Sequence, residues 1–113
     1  MGSVRYLMTT NGGSSPPPDR QLQEDMAKLV AEMIEQGIVV ATGGLDMTGT
    51  HVSASGGRIT LTDGPYAESK ETIVSFAVVD VDSEEQLMDL TRRFWELVKD
   101  GEGDIRRVYG PGE

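Results

Sequence analysis

His51-Val52-Ser53-Ala54-Ser55-Gly56-Gly57-Arg58-Ile59-Thr60-Leu61-Thr62-Asp63-Gly64-Pro65 is followed, after a short connection, by Ile73-Val74-Ser75-Phe76-Ala77-Val78-Val79-Asp80-Val81, and the two runs together decide the fold. Gly56-Gly57 accepts the positive φ angles of a two-residue hairpin turn. A turn there fixes the register: Ser55 faces Arg58, Ala54 faces Ile59, Ser53 faces Thr60, Val52 faces Leu61 and His51 faces Thr62. One face of that hairpin is apolar and the other polar. The second run is different in kind. Ile73, Ala77, Val79 and Val81 fall on one face and Val74, Phe76 and Val78 on the other, so residues 73–81 read as a central strand buried on both sides.

Working outward, Ser83-Glu84-Glu85-Gln86 has capping-box spacing, and Leu87, Leu90, Phe94, Leu97 and Val98 follow at helical intervals to about Lys99. Gly101 and Gly103 close that helix, and residues 105–109 offer a last strand. On the other side, Val4, Tyr6 and Met8 alternate with Arg5, Leu7 and Thr9 as in a strand. Residues 11–18, rich in glycine, serine and proline, form a flexible loop within the single domain expected over 1–113. Asp19 caps a helix through Gln36, with Leu22, Met26, Leu29, Val30, Met33 and Ile34 on its apolar stripe and Gly37 as its stop. Residues 38–41 make a further strand, broken at Gly43-Gly44.

The resulting order places two strand-helix-strand units on one antiparallel sheet, with two helices on one face and an inserted β-hairpin. That is an α+β, ferredoxin-like layer. The other face of the sheet carries apolar side chains and no element is left to cover it, so a homodimer is expected.

Composition narrows the partners. The chain has 113 residues, 19 acidic against 10 basic, a net charge of −9, one histidine and no cysteine. Its bases are scattered, so nucleic acid and anionic membrane are excluded as partners. Disulfides, thiolate nucleophiles and cysteine-ligated metals are excluded outright. A lone imidazole argues against multi-histidine sites, and no metal or cofactor is expected. No long apolar run marks a leader or a span, and the cytoplasm is the expected location.

The stretch Arg58 to Glu71, ending Asp63-Gly64-Pro65-Tyr66-Ala67-Glu68-Ser69-Lys70-Glu71, resembles the signature of the YCII-related family in its DGPF-domain branch. The resemblance extends to Arg5-Tyr6-Leu7-Met8, to Gly44-Leu45 and to Val78-Val79-Asp80-Val81-Asp82-Ser83. Tyr66 stands where that signature has phenylalanine, Ser69 where it has threonine, and Val74-Ser75 where relatives often have Gly-Gly. The resemblance implies a dimeric α/β-barrel. It also implies a relative that eliminates chloride from an aromatic breakdown product, for which a histidine–aspartate pair has been proposed, while most of the branch has no established activity.

Asp63 is the leading candidate for chemistry: a carboxylate beside a rigid Gly64-Pro65 bend can serve as general acid or base. The alternative is that it accepts local hydrogen bonds and holds the turn. His51, the only imidazole, is the candidate second member of a catalytic pair, although the hairpin register sends it to the face opposite Asp63 unless the pleat breaks. Tyr66, Glu68, Lys70 and Glu71 are candidate ligand-binding residues of a small-molecule cleft near the loop, or a solvated run of weak ion pairs. Two functions follow from these residues. One is a cofactor-free lyase or isomerase using acid/base chemistry; the other is a non-catalytic dimer that binds a ligand or a regulatory partner protein.

Overall fold

A computed structural model describes residues 2–12, 19–65 and 72–113. Six strands and two helices follow in chain order: β1 (Val4–Asn11), α1 (Arg20–Glu35), β2 (Val39–Gly44), β3 (Thr48–Ser55), β4 (Arg58–Pro65), β5 (Ile73–Val81), α2 (Glu84–Val98) and β6 (Gly103–Arg107). β2, β5, β1 and β6 form an antiparallel sheet in that spatial order, and β3 with β4 forms a separate two-stranded ribbon. With the ribbon set aside, the connectivity is that of the ferredoxin-like α+β layer, with the hairpin inserted between its second and third strands.

Local chemistry explains each boundary. The Asp19 carboxylate accepts the Leu22 N–H at 2.8 Å at the start of α1, and Gly37, at φ 77°, follows the cap at Gln36. Ser83 Oγ accepts the Gln86 N–H at 3.1 Å, and Gln86 Oε1 reaches back to the Asp82 N–H at 2.7 Å, a capping box displaced by one residue. Gly56 and Gly57 both take positive φ, 56° and 84°, and the hairpin register pairs Ser55 with Arg58 through His51 with Thr62 as the turn dictates.

The core lies between the helices and one face of the sheet. Leu29 and Met33 from α1, Leu87 and Leu90 from α2, and Ile38, Val79 and Val81 are buried together, with Tyr6, Met8, Ala77 and Ile105 packed against them. Val79 and Val81 of β5 are the least exposed, as expected for a central strand. The register turns Leu7, Phe76 and Val78 to the opposite face, which no described element covers. On that face the Arg5 guanidinium donates to both Asp80 oxygens, at 2.8 and 2.9 Å, tying β1 to β5. This pair holds the Asp80 carboxyl below the ordinary carboxylate range and raises Arg5 further.

Three boundaries and one burial differ from the sequence reading. Asn11 closes β1 instead of opening the loop, and residues 13–18 of that loop lie outside the described residues. β2 runs through Gly43 and Gly44, which pair with Phe76 and Ser75 of β5 as the ladder continues, with the Phe76 ring lying against Gly43. β6 starts at Gly103, two residues early. Ile34, expected on the buried stripe of α1, is 53% exposed, because the stripe is wider than the surface that the sheet and α2 offer it.

Candidate functional site

Between the helix pair and the sheet, at the end where β1 finishes and β5 and β6 begin, lies a cavity of about 290 Å³. Its walls are built by the same alternation that makes the core. Met8 and Ile105 reach it from neighbouring strands, Met26 and Leu29 from α1, and Phe94 and Trp95 from α2. The Phe94 and Trp95 rings meet edge to face, with centroids 5.3 Å apart. The indole lies over the backbone of Gly103, where a β-carbon would stand 2.9 Å from Trp95 Cζ2 and 2.2 Å from the Thr9 carbonyl oxygen. Only glycine fits there, and it lets β6 lie this close to β1 from its first residue.

Most of the polar side chains that line the cavity carry hydroxyls. Thr42 Oγ1 donates to the Phe76 carbonyl at 2.9 Å, and Thr91 Oγ1 donates to the Leu87 carbonyl at 2.7 Å, so both protons are spent on the backbone. Thr10 and Ser75, opposite each other on β1 and β5, hydrogen-bond through their hydroxyls. One hydroxyl of such a pair donates and the other keeps its proton for a third group. Together they present a donor and free lone pairs inside an otherwise apolar wall. Asp104 lies at the rim, opposite Thr9, and strand alternation turns its side chain away from the face that carries Met8 and Ile105.

The sequence does carry a signal for this site. Thr10 continues the inward stripe Val4-Tyr6-Met8, and Ser75 precedes Ala77, Val79 and Val81 on the matching stripe. A small hydroxyl at the same end of both stripes leaves room beneath the helices where a large apolar residue would fill it.

The residues anticipated as catalytic lie elsewhere, on the ribbon. The Thr50 hydroxyl donates to Asp63 Oδ1 at 2.6 Å across the β3–β4 pair. His51 pairs with Thr62, one position on, so its side chain leaves the opposite face of the ribbon from Asp63. Neither is among the residues lining the cavity. Tyr66, Glu68, Lys70 and Glu71 lie outside the described residues. The segment that carries them rejoins the described chain at Thr72, whose carbonyl accepts the Gly12 N–H at 2.6 Å, at the same end of the sheet as Thr10 and Ser75.

Ahead of the ribbon, Asp46 accepts both the backbone N–H and the hydroxyl of Thr48 at 2.9 Å, and the backbone bond holds its carboxyl below the ordinary range. Among the described residues no group of three histidine, aspartate or glutamate side chains is placed to hold a metal ion, and no helix is long and apolar enough to cross a membrane.

A family model for the YCII-related domain matches residues 4–109. No curated protein matches the chain.

Proposed function

The chain belongs to the YCII-related family, and from that premise we propose that it is a homodimer that binds a small, largely apolar molecule in the cavity beneath its helices. The observation that carries this reading is the Thr10–Ser75 hydroxyl pair set in a wall of Met8, Leu29, Phe94 and Trp95. Ligand sites combine such apolar walls with a few polar groups that fix orientation. A net charge of −9 disfavours anions at long range, so the fitting ligand is a neutral aromatic or alicyclic molecule with one hydroxyl or carbonyl group. The second copy is supported by Leu7, Phe76 and Val78 on the uncovered face of the sheet. A cytoplasmic setting accords with the absence of cysteine.

A crystal of the protein soaked with 4-nitrobenzyl alcohol tests the site. The ring is expected between Met26, Leu29 and Trp95 with its hydroxyl on Ser75; density elsewhere only, or none, removes the reading.

A second reading retains chemistry at the motif. Thr72, the first described residue after the motif, lies at the Thr10–Ser75 end of the sheet, which favours a small-molecule cleft near the Asp-Gly-Pro-Tyr loop. There Asp63 would move a proton at a carbon next to a carbonyl, as in a cofactor-free lyase or isomerase, with Tyr66 assisting in place of His51, which leaves the opposite face of the ribbon, and with Glu68, Lys70 and Glu71 contacting the ligand. The Thr50–Asp63 bond supports instead a structural role for that carboxylate, so the non-catalytic ligand-binding dimer is the reading we favour.

A further inference from the structure

The β3–β4 ribbon touches no other described element of its own chain, and every one of its residues is exposed. Its apolar face is a continuous stripe: Val52 is 59% exposed, Ile59 66% and Leu61 64%. The ribbon also accounts for the shape of the molecule. The radius of gyration is 16.3 Å, against about 13 Å for a compact chain of this length. A two-stranded hairpin is marginal in water by itself, and its two open edges invite pairing. Something outside the chain's own core must hold it.

Charge indicates what that is. In an acidic protein, residues 48–65 carry only two formal charges: Arg58 on the polar face, and Asp63 at the far end of the apolar face, where it accepts the Thr50 hydroxyl. The open sheet face is likewise neutral where Arg5 closes on Asp80. Two copies of a chain with net charge −9 repel least where they meet through such sparsely charged surfaces.

Area agrees. Eight residues per strand span ~26 Å, and a ribbon ~10 Å wide presents ~260 Å² on one face. Two exchanged arms and the two surfaces that receive them then bury ~1,000 Å², where specific interfaces begin.

Resting on the homodimer reading, we propose that the ribbon is an exchanged arm, laying Val52, Ile59 and Leu61 over Leu7, Phe76 and Val78 of a second copy. The arm, more than contact between sheets, then sets the strength of the dimer.

Sedimentation equilibrium of the full chain and of the double variant Ile59→Ser/Leu61→Ser tests this. Far-UV circular dichroism should be nearly unchanged, because beyond their cross-strand partners Ala54 and Val52 the ribbon meets no other described element of its own chain, and the dimer Kd should rise by more than about a hundredfold. A Kd within about threefold of the parent overturns the arm while leaving the homodimer standing; a monomeric parent overturns both. Because the chain has no cysteine, Leu61→Cys/Val78→Cys gives an independent reading under mild oxidation. A disulfide joining two chains is expected, and a disulfide closed within one chain refutes the exchange.

Discussion

Gly103→Ala strikes the place where strand, helix and cavity meet. The added methyl would stand 2.2 Å from the Thr9 carbonyl oxygen, 3.3 Å from its carbon and 2.9 Å from Trp95 Cζ2. Ordinary van der Waals separations are ~3.5 Å or more, so β6 must move off β1 by ~1 Å and the indole must shift as well. The obstacle on one side is backbone, which cannot rotate aside. Moving the start of β6 endangers the Asn11 N–H bond to the Glu102 carbonyl, at 2.9 Å, and the neighbouring pairing of Thr10 with Gly103. Loss of one such bond costs ~1 kcal/mol and overpacking adds ~1–3 kcal/mol, giving a loss of ~2–4 kcal/mol. At ~4 °C per kcal/mol for a chain of this size, Tm falls by ~8–16 °C. The assay is thermal unfolding followed by far-UV circular dichroism, with the near-UV band of Trp95, the only tryptophan, as local reporter. Gly44→Ala is the control, since its added carbon meets only the Val74 carbonyl oxygen, at 3.9 Å. A Gly103→Ala melt within ~2 °C of the parent, with the tryptophan band intact, would refute the close approach and with it this wall of the cavity.

Two further predictions use the charged groups. The folded Asp80 carboxyl titrates below its unfolded value, so the Arg5–Asp80 pair stabilises fully above the ordinary carboxylate range and loses its effect as pH falls through the lower folded value. Chemical denaturation of Asp80→Asn and the parent should therefore show a gap at neutral pH that closes between about pH 5 and about pH 2; a gap independent of pH contradicts the pairing. Asp63→Asn keeps an oxygen that can accept the Thr50 hydroxyl, so stability should change by under ~0.5 kcal/mol and uptake of 4-nitrobenzyl alcohol into the cavity should be unaltered. Lost uptake would bring Asp63 into the binding site, and turnover lost with binding intact would favour the acid/base reading.

Much of the fold was legible in the residues because its signals are local. Asp19 and Ser83 mark helix starts through bonds to residues three positions on, and Gly56-Gly57 sets a register that needs no knowledge of the rest of the chain. The apolar run at 73–81 declares a central strand by being apolar on both sides. What escaped depends on tertiary approach. Gly43-Gly44 reads as a break until the Phe76 ring is seen against it, and Gly103 reads as a helix stop until Trp95 is found over it. Thr10 and Ser75 are ordinary strand residues apart from their meeting at one end of the sheet. The hairpin misleads in the other direction: Val52, Ile59 and Leu61 promise burial, and the chain's own core does not supply it. As for the candidate site, the hairpin register set His51 and Asp63 on opposite faces, and the pleat continues unbroken at that point.

The most direct measurement of the account is a titration of Trp95 fluorescence with 4-nitrobenzyl alcohol, a nitroaromatic quencher that is neutral and carries one hydroxyl. Trp95 is the only tryptophan and lines the cavity, so its emission reports occupancy without a label. A ligand of this size is expected to bind with Kd in the range of ~0.1–1 mM, giving quenching that saturates in the parent. In Ser75→Val the added methyl groups narrow the cavity and the hydroxyl pair is gone, so the saturable phase should disappear. Quenching that stays linear in the parent, or that saturates equally in Ser75→Val, would contradict the cavity as the binding site.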